Sequence, residues 1–148
     1  MFKKFKKAFT ITELVIVIAV IAILAAVLIP TFSTVIGKAN ESAAMQECRN
    51  EWTNMSVDVI LDENAGKDYL FSIEKGGDTY YFVVIGGNFN EKSAKVQSSD
   101  GSGALIGDGV TLSITVEEKT YSNVMASAVS DYEPESSAII YSLTDVNA

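Results

Sequence analysis

The sequence FTITELVIVIAVIAILAAVLIP, residues 9–30, decides how this chain folds. From Leu14 to Ile29 it contains sixteen consecutive apolar residues, and Pro30 follows directly. As an α-helix, the segment from Phe9 to Ile29 rises about 31 Å, which is roughly the thickness of a bilayer core. The run has no polar face, and this is typical of a helix surrounded by lipid or by other helices. We therefore expect a transmembrane helix over residues 9–30.

A short basic segment, residues 1–8, precedes the apolar run. It contains four of the chain's eleven basic residues: Lys3, Lys4, Lys6 and Lys7. Positive charges beside a membrane span tend to remain on the cytoplasmic side. The sequence therefore predicts a single-pass membrane protein with a cytoplasmic N-terminus and an extracytoplasmic remainder.

Glu13 is the one charged residue between Phe9 and Pro30, and the residues alone leave three interpretations open. The spacing of Thr10 and Glu13 matches a capping box, which satisfies backbone N–H groups at the start of a helix. The whole segment also matches a secretory signal peptide cleaved after residue 39. Finally, a charged residue at a membrane span is costly and suggests a dedicated role there.

A second helical pattern follows Pro30. Apolar residues recur there at spacings of 3, 4, 3 and 4, which puts them on one stripe of a helix: Met45, Cys48, Trp52, Met55 and Val59. Cys48 and Trp52 are predicted to be buried core residues, whereas Glu51 falls outside the stripe. We expect one helix over residues 10–62, loosened near Pro30 and Gly37, with an apolar first half and an amphipathic second half.

From residue 68 onward the pattern becomes that of β-strands. Four segments are rich in aromatic and β-branched residues: Tyr69–Ile73, Thr79–Ile85, Val110–Val116 and Ala138–Leu143. Gly76 and Gly77 lie between the first two segments and predict a hairpin turn. The predicted fold class is α+β, in which the long N-terminal helix packs on one apolar face of a small antiparallel sheet of four strands.

The composition argues against several classes of function. After residue 8 the chain has 19 acidic and 7 basic residues, a balance unsuited to neutralising phosphates, so no direct nucleic acid binding is expected. Histidine and the common catalytic and phosphate-binding motifs are missing, so we expect neither an enzyme nor a cofactor. Asp100 and Asp108 flank a glycine-rich loop. A solvated loop is favoured over a calcium site there, because the alternating acidic spacing of an EF-hand is missing.

The sequence KAFTITEL, residues 7–14, with the apolar run behind it, resembles the N-terminal signal of type IV prepilins and pseudopilins. The resemblance implies that a prepilin peptidase cuts between Ala8 and Phe9 and methylates the new amine of Phe9. Glu13 corresponds to the family's invariant glutamate, and Pro30 corresponds to its helix-loosening proline. Ala8 stands where the family usually has glycine.

The resemblance implies a chain divided into a basic leader (1–8), a transmembrane and polymerisation helix (9–30) and a globular pilin-like head (31–148). Glu13 would pair with the amine of Phe9 on a neighbouring subunit. The implied function is that of a structural subunit of a type IV pilus-like filament at the cell surface. The implied partners are copies of the chain and related pilins, the prepilin peptidase, a membrane assembly platform and the lipid bilayer.

Two other functions are compatible with the same sequence. The chain is alternatively a pseudopilin of a type II secretion or competence DNA-uptake machine, which would form a short filament. It is also compatible with a membrane-tethered binding module that never polymerises.

Overall fold

The computed structural model describes residues 8–61 and 66–146. It begins with one helix, α1, at Ile11–Leu61, and seven strands follow it. The chain divides into two compact units, a first unit at Met1–Lys38 and a second unit at Ala39–Ala148. Helix α1 contributes residues to both units.

Helix α1 begins one residue later than predicted; residue 62 and the basic leader up to residue 7 lie outside the described residues. The helix continues through Pro30 and Gly37, so the predicted loosening is not present as a break. Proline removes one backbone donor from the helix. Thr31 lies beside it, and its Oγ1 donates to the carbonyls of Val27 at 3.0 Å and Leu28 at 2.9 Å. Threonine bonds of this kind are tolerated within a helix, although they slightly destabilise and often bend it.

The seven strands form one antiparallel sheet in the order β3-β2-β1-β7-β6-β5-β4. The strands are β1 Asp68–Lys75, β2 Asp78–Ile85, β3 Asn88–Phe89, β4 Lys95–Ser98, β5 Leu112–Val116, β6 Lys119–Ala128 and β7 Ile139–Thr144. β1, β2, β5 and β7 correspond to the four predicted strands, and Gly76 and Gly77 form the predicted hairpin turn with positive φ. The prediction of only four strands was wrong, because it missed β3, β4 and the ten-residue strand β6.

Strand β6 was missed because a β-bulge breaks its alternation. Asn123 has a φ of +60°, and the register between β5 and β6 shifts by one residue beside it. Two successive residues, Ser122 and Asn123, are therefore exposed, whereas Val124 and Ala126, which follow the bulge, are buried. An extra residue in one strand is the definition of a bulge, and a period-2 search fails across it.

The two edges of the sheet approach each other. β3 and β4 are successive in sequence but stand at opposite edges of the strand order. Between them, Asn90 N donates to Val83 O at 2.9 Å and Ala94 N donates to Tyr81 O at 2.7 Å. The chain therefore runs along the free edge of β2 before it pairs with β5 as β4, and the sheet curls around an interior.

Two hydrophobic clusters result, and they lie on opposite faces of β1 and β2. In the helix cluster, α1 packs on the sheet through Ala44, Cys48 and Met55, against Tyr69, Phe71, Ile73, Phe82, Val84, Ala138 and Ile140. The interior cluster fills the curled sheet with Leu70, Val83, Ala94, Leu112, Ile114, Val116, Val124, Ala126, Tyr141 and Leu143. The α+β fold, with α1 packed on one apolar face of an antiparallel sheet, is therefore confirmed. The expectation that the sheet has only this one apolar face was wrong, because the sheet buries both faces of its central strands.

The buried face of α1 also differs from the predicted stripe, because Ala44 and Glu51 are buried although neither belongs to it. Cys48 and Met55 are buried as predicted, and Trp52 is half-buried with its ring centroid 5.8 Å from that of Tyr69. Glu51, which was placed outside the stripe, is only 2% exposed. The side chain of Val59 lies outside what the structure describes.

Polar contacts fix the same part of α1 to the sheet. Glu47 forms an ion pair with Lys75 of β1 at 2.6 Å. Arg49 pairs with Glu91 at the same distance, and both of those side chains are more than half exposed. Exposed pairs contribute about 0–1 kcal/mol each, so hydrophobic packing decides the stability of this face.

Candidate processing and assembly site

The junction at which cleavage is predicted lies just ahead of α1. Ala8, Phe9 and Thr10 precede the first helical residue, and all three are exposed. The side chain of Phe9 is 85% exposed. The Ala8–Phe9 peptide bond therefore lies in accessible, non-helical backbone, which is where proteases cut most readily.

Thr10 and Glu13 form a complete capping box. Glu13 Oε2 accepts hydrogen bonds from Thr10 N at 2.8 Å and from Thr10 Oγ1 at 2.9 Å. In return, Glu13 N donates to Thr10 Oγ1 at 3.2 Å. Backbone N–H groups at the start of α1 are thereby satisfied. The capping interpretation of Glu13 is correct for the chain on its own.

The cap occupies only one oxygen of this carboxylate. Within the part of the chain that the structure describes, Glu13 Oε1 has no hydrogen bond or ion pair. A carboxylate has about four acceptor positions. Glu13 can therefore cap its own helix and still accept a donor from a second molecule.

The first unit presents an almost continuous apolar surface. From Ile11 to Ile36 every residue except Ala25 is exposed. Among the described residues there is one helical stretch, within Ile11–Val57, that is long and apolar enough to cross a membrane, and none of its most apolar part is buried. A soluble monomer rarely exposes such a surface, so it needs a lipid or protein environment.

The predicted site residues fall into two groups. Ala8, Phe9 and Glu13 lie together at the start of α1. Pro30 lies seventeen residues beyond Glu13, or about 26 Å along the helix, so it belongs to a different part of the span. Thr10 was left out of the site prediction, although its capping-box spacing is visible in the sequence.

Asp100, the first acidic residue of the glycine-rich loop, is used within that loop. Its Oδ1 accepts from Ser102 N at 3.0 Å and from Ser102 Oγ at 2.8 Å, and these bonds lower the pKa of the carboxyl. The described residues include no group of three histidine, cysteine, aspartate or glutamate side chains placed to hold a metal ion.

Comparison with known proteins agrees with the geometry of the N-terminal segment. Residues 3–29 match the family model for the prokaryotic N-terminal methylation motif. The N-terminal segment is thus similar to that of type IV pilins. This pilin-type segment contains the accessible junction, the capping box and most of the exposed apolar run.

Two curated relatives extend the similarity beyond this pilin-type segment. Both are type IV major fimbrial proteins FimA from Dichelobacter nodosus. One is 39% identical over 66 residues, covering 45% of this chain and 42% of the relative. The other is 35% identical over 68 residues, covering 46% of this chain and 44% of the relative. The matched region thus spans less than half the length of each relative, and no solved structure matches the chain.

Proposed function

We propose that this chain is a structural subunit of a type IV pilus-like filament, made as a precursor that prepilin peptidase cuts between Ala8 and Phe9. One observation carries the proposal: the methylation motif over residues 3–29 includes the start of a helix whose apolar surface is exposed. A leader alone would fit many secreted proteins. A permanent apolar helix behind the cut needs a bilayer first and a bundle of similar helices afterwards.

In the membrane stage, the capping box lowers the cost of holding Glu13 at the edge of the bilayer. Polar groups in lipid must be satisfied internally. Thr10 N–H and Thr10 O–H both donate to the carboxylate, so each subunit is prepared for insertion before it meets a neighbour. Lys3, Lys4, Lys6 and Lys7 would hold the leader in the cytoplasm, and the head would lie outside.

In the assembly stage, the amine of Phe9 released by cleavage would pair with Glu13 of a neighbouring subunit. Oε1 of Glu13 is the oxygen that the cap leaves open. Two unit charges about 4 Å apart attract by about 4 kcal/mol at an effective dielectric constant of 20. The pair would also cancel the cost of burying each charge alone, so it would fix the register between subunits.

The helix that carries this pair is suited to close packing. Ala19, Ala22, Ala25 and Ala26 provide small side chains along the span, and small residues let helix backbones approach each other. Pro30 would allow the helix to adjust as subunits leave the bilayer. We propose that residues 9–30 form the filament core, that residues 31–148 form the head on the cell surface, and that the leader is removed.

The names of the relatives favour a pilus over a secretion or uptake pseudopilus, because both are major fimbrial proteins. The partners would be further copies of this chain and related pilins, the prepilin peptidase and a membrane assembly platform.

The proposal is tested by intact-mass and peptide mass spectrometry of the protein recovered from sheared surface filaments of the organism that makes it. We expect the mature chain to begin at Phe9 and to carry one additional methyl group on its amine. An N-terminus at residue 40 would identify an ordinary signal peptide. An unprocessed chain found only in the membrane fraction would identify a tethered module.

A further inference from the structure

Glu51 is the one charged side chain that is buried among those the structure describes, with 2% of its surface exposed. A buried carboxylate is strongly destabilising unless hydrogen bonds replace its hydration. Glu51 lies on α1, one turn from the buried Cys48, at a position where the sequence pattern suggests a surface residue. Its burial therefore needs a structural reason.

Both oxygens of Glu51 bind the same distant segment of the chain. Oε2 accepts from the hydroxyl of Tyr132 at 2.7 Å, and Oε1 accepts from the backbone N–H of Ser136 at 2.6 Å. These donors are 81 and 85 residues away in sequence. They belong to the connection between β6 and β7, residues 129–138, which we call the strap.

The strap lies on the helix cluster with alternate residues inward. Tyr132, Pro134 and Ser136 are half-buried, and the acidic residues between them are exposed: Asp131, Glu133 and Glu135. Val129 and Tyr132 pack against the helix cluster. At its start the strap is fixed to β7 through Val129 N, which donates to Ile140 O at 3.3 Å. In its middle, the hydrogen bonds from Tyr132 and Ser136 end on Glu51 of α1.

The charges around Glu51 do not supply a counter-ion. Among the described residues, the charges of Glu47, Glu51 and Lys75 act on neighbouring Cys48. Glu51 itself accepts hydrogen bonds from Tyr132, from Ser136 and from the backbone of Glu135. Lys75 is paired with Glu47, and no cation among the described residues forms an ion pair with Glu51. Burial raises the pKa of Glu51, but the hydrogen bonds from Tyr132 and from the strap backbone outweigh it and leave the pKa below its usual value.

We infer that Glu51 is a latch that holds the strap on α1, and that removal or protonation of this one carboxylate releases residues 130–137. Hydrogen bonds to a charged group are stronger than neutral ones, so two of them can fix a short segment that lies outside the sheet. Release would expose Tyr132 and the edge of the helix cluster beneath it. The outward carboxylates repel one another, which favours the open strap once the latch is lost.

The lowered pKa of Glu51 makes the closed strap sensitive to acid. A group whose pKa is lower in the folded protein contributes stability above its unfolded pKa and loses that contribution as the pH falls through the folded value. The latch is therefore fully closed at neutral pH and opens at acid pH, below the ordinary glutamate range.

Opening of the strap is measured by the rate of chymotryptic cleavage after Tyr132, at neutral pH, in the full chain in detergent micelles. The cleavage rate of a rapidly opening segment follows the population of its open form. Each charge-assisted hydrogen bond accounts for about a factor of ten or more in that population. We expect cleavage at this site to rise about 100-fold in Glu51→Ala and about 10-fold in Tyr132→Phe. Glu47→Ala is the matched control, because it removes a carboxylate one turn away that binds Lys75 instead of the strap.

Equal cleavage of the wild type and Glu51→Ala would overturn the inference, and so would an equal rise in Glu47→Ala. If Glu51→Ala unfolds the second unit as a whole, as the fluorescence of Trp52 would reveal, the milder Tyr132→Phe variant decides the question by the same comparison. In the wild type, the NMR shift of the Ser136 amide should change together with strap opening as the pH falls below 4.5. A Ser136 amide that shifts while the neighbouring strap residues stay in place would also overturn the inference.

Discussion

Replacement of Leu70 by alanine tests whether the central strands are buried on both faces. Leu70 lies on β1, and a sheet with one buried face and a sheet with two buried faces place its side chain differently. A sheet with one apolar face on the helix turns Tyr69, Phe71 and Ile73 inward and leaves Leu70 in solvent. In the structure Leu70 is 0% exposed and belongs to the interior cluster of the curled sheet.

The expected loss of stability follows from the surroundings of this side chain. β1 is paired on both sides, with Leu70 opposite Val83 of β2 and Tyr141 of β7. Two hydrogen-bonded ladders hold the backbone in place, so the cavity left by the removed atoms cannot easily collapse. Leu→Ala at a fully buried position costs about 3–5 kcal/mol. With a urea dependence of about 2 kcal/mol per molar, the unfolding midpoint should fall by about 1.5–2.5 M.

Urea unfolding of the full chain in detergent, followed through the fluorescence of Trp52, measures this shift. Ile139→Ala is the matched control, because Ile139 lies on neighbouring β7 but is 55% exposed, and its cost should be about 1 kcal/mol or less. A Leu70→Ala variant that is no less stable than Ile139→Ala would refute the curled sheet and restore a sheet with a single buried face.

Three further outcomes are expected. Burial, with the nearby charges of Glu47 and Glu51, raises the pKa of Cys48 to about 12. A thiol reagent at pH 8 should therefore label the folded wild type far more slowly than a Cys48→Ala, Ser42→Cys double variant, and equal rates would contradict the burial. Asn123 has a φ of +60°, so thermal unfolding should show Asn123→Gly to be about as stable as the wild type and Asn123→Ala to be about 1 kcal/mol less stable. The reverse order of stability would count against the bulge. The head, residues 31–148, should sediment as a monomer with and without calcium, and a stable oligomer would move the assembly interface away from the span.

The elements that could be predicted are those whose local pattern matches their environment. α1 follows from an apolar run joined to an apolar stripe, and its predicted start lies within one residue of the observed start. Four strands follow from aromatic and β-branched segments. The helix start was also readable, since the spacing of Thr10 and Glu13 alone specifies the capping box that the structure contains.

What could not be predicted depends on contacts between distant residues. β6 contains a bulge at Asn123, so no single period describes it. Leu70 is buried because a second layer, contributed by Leu112 and Ile114 of β5, covers the face of β1 away from the helix. Glu51 is buried because a strap more than eighty residues away supplies its donors. A polar residue carries no local signal for such a partner, so patterning places it on the surface.

Replacement of Glu13 by glutamine separates the capping role of this residue from its proposed role in pairing with a neighbouring subunit. Glutamine also completes a capping box, so Glu13→Gln should keep the start of α1 and insert in the membrane normally. The loss of charge, however, would leave the amine of Phe9 on a neighbour buried without a partner, at a cost of about 3–5 kcal/mol for each subunit interface.

The most direct test is the filament yield in sheared supernatants, measured together with the level of the protein in the membrane fraction. It compares the wild type, Glu13→Gln and the exposed head variant Glu91→Gln. We expect Glu91→Gln to resemble the wild type and Glu13→Gln to show normal membrane levels with filament yield reduced by at least about 100-fold. Normal filaments from Glu13→Gln would contradict the pairing of Phe9 with Glu13 and leave this carboxylate with its capping role alone.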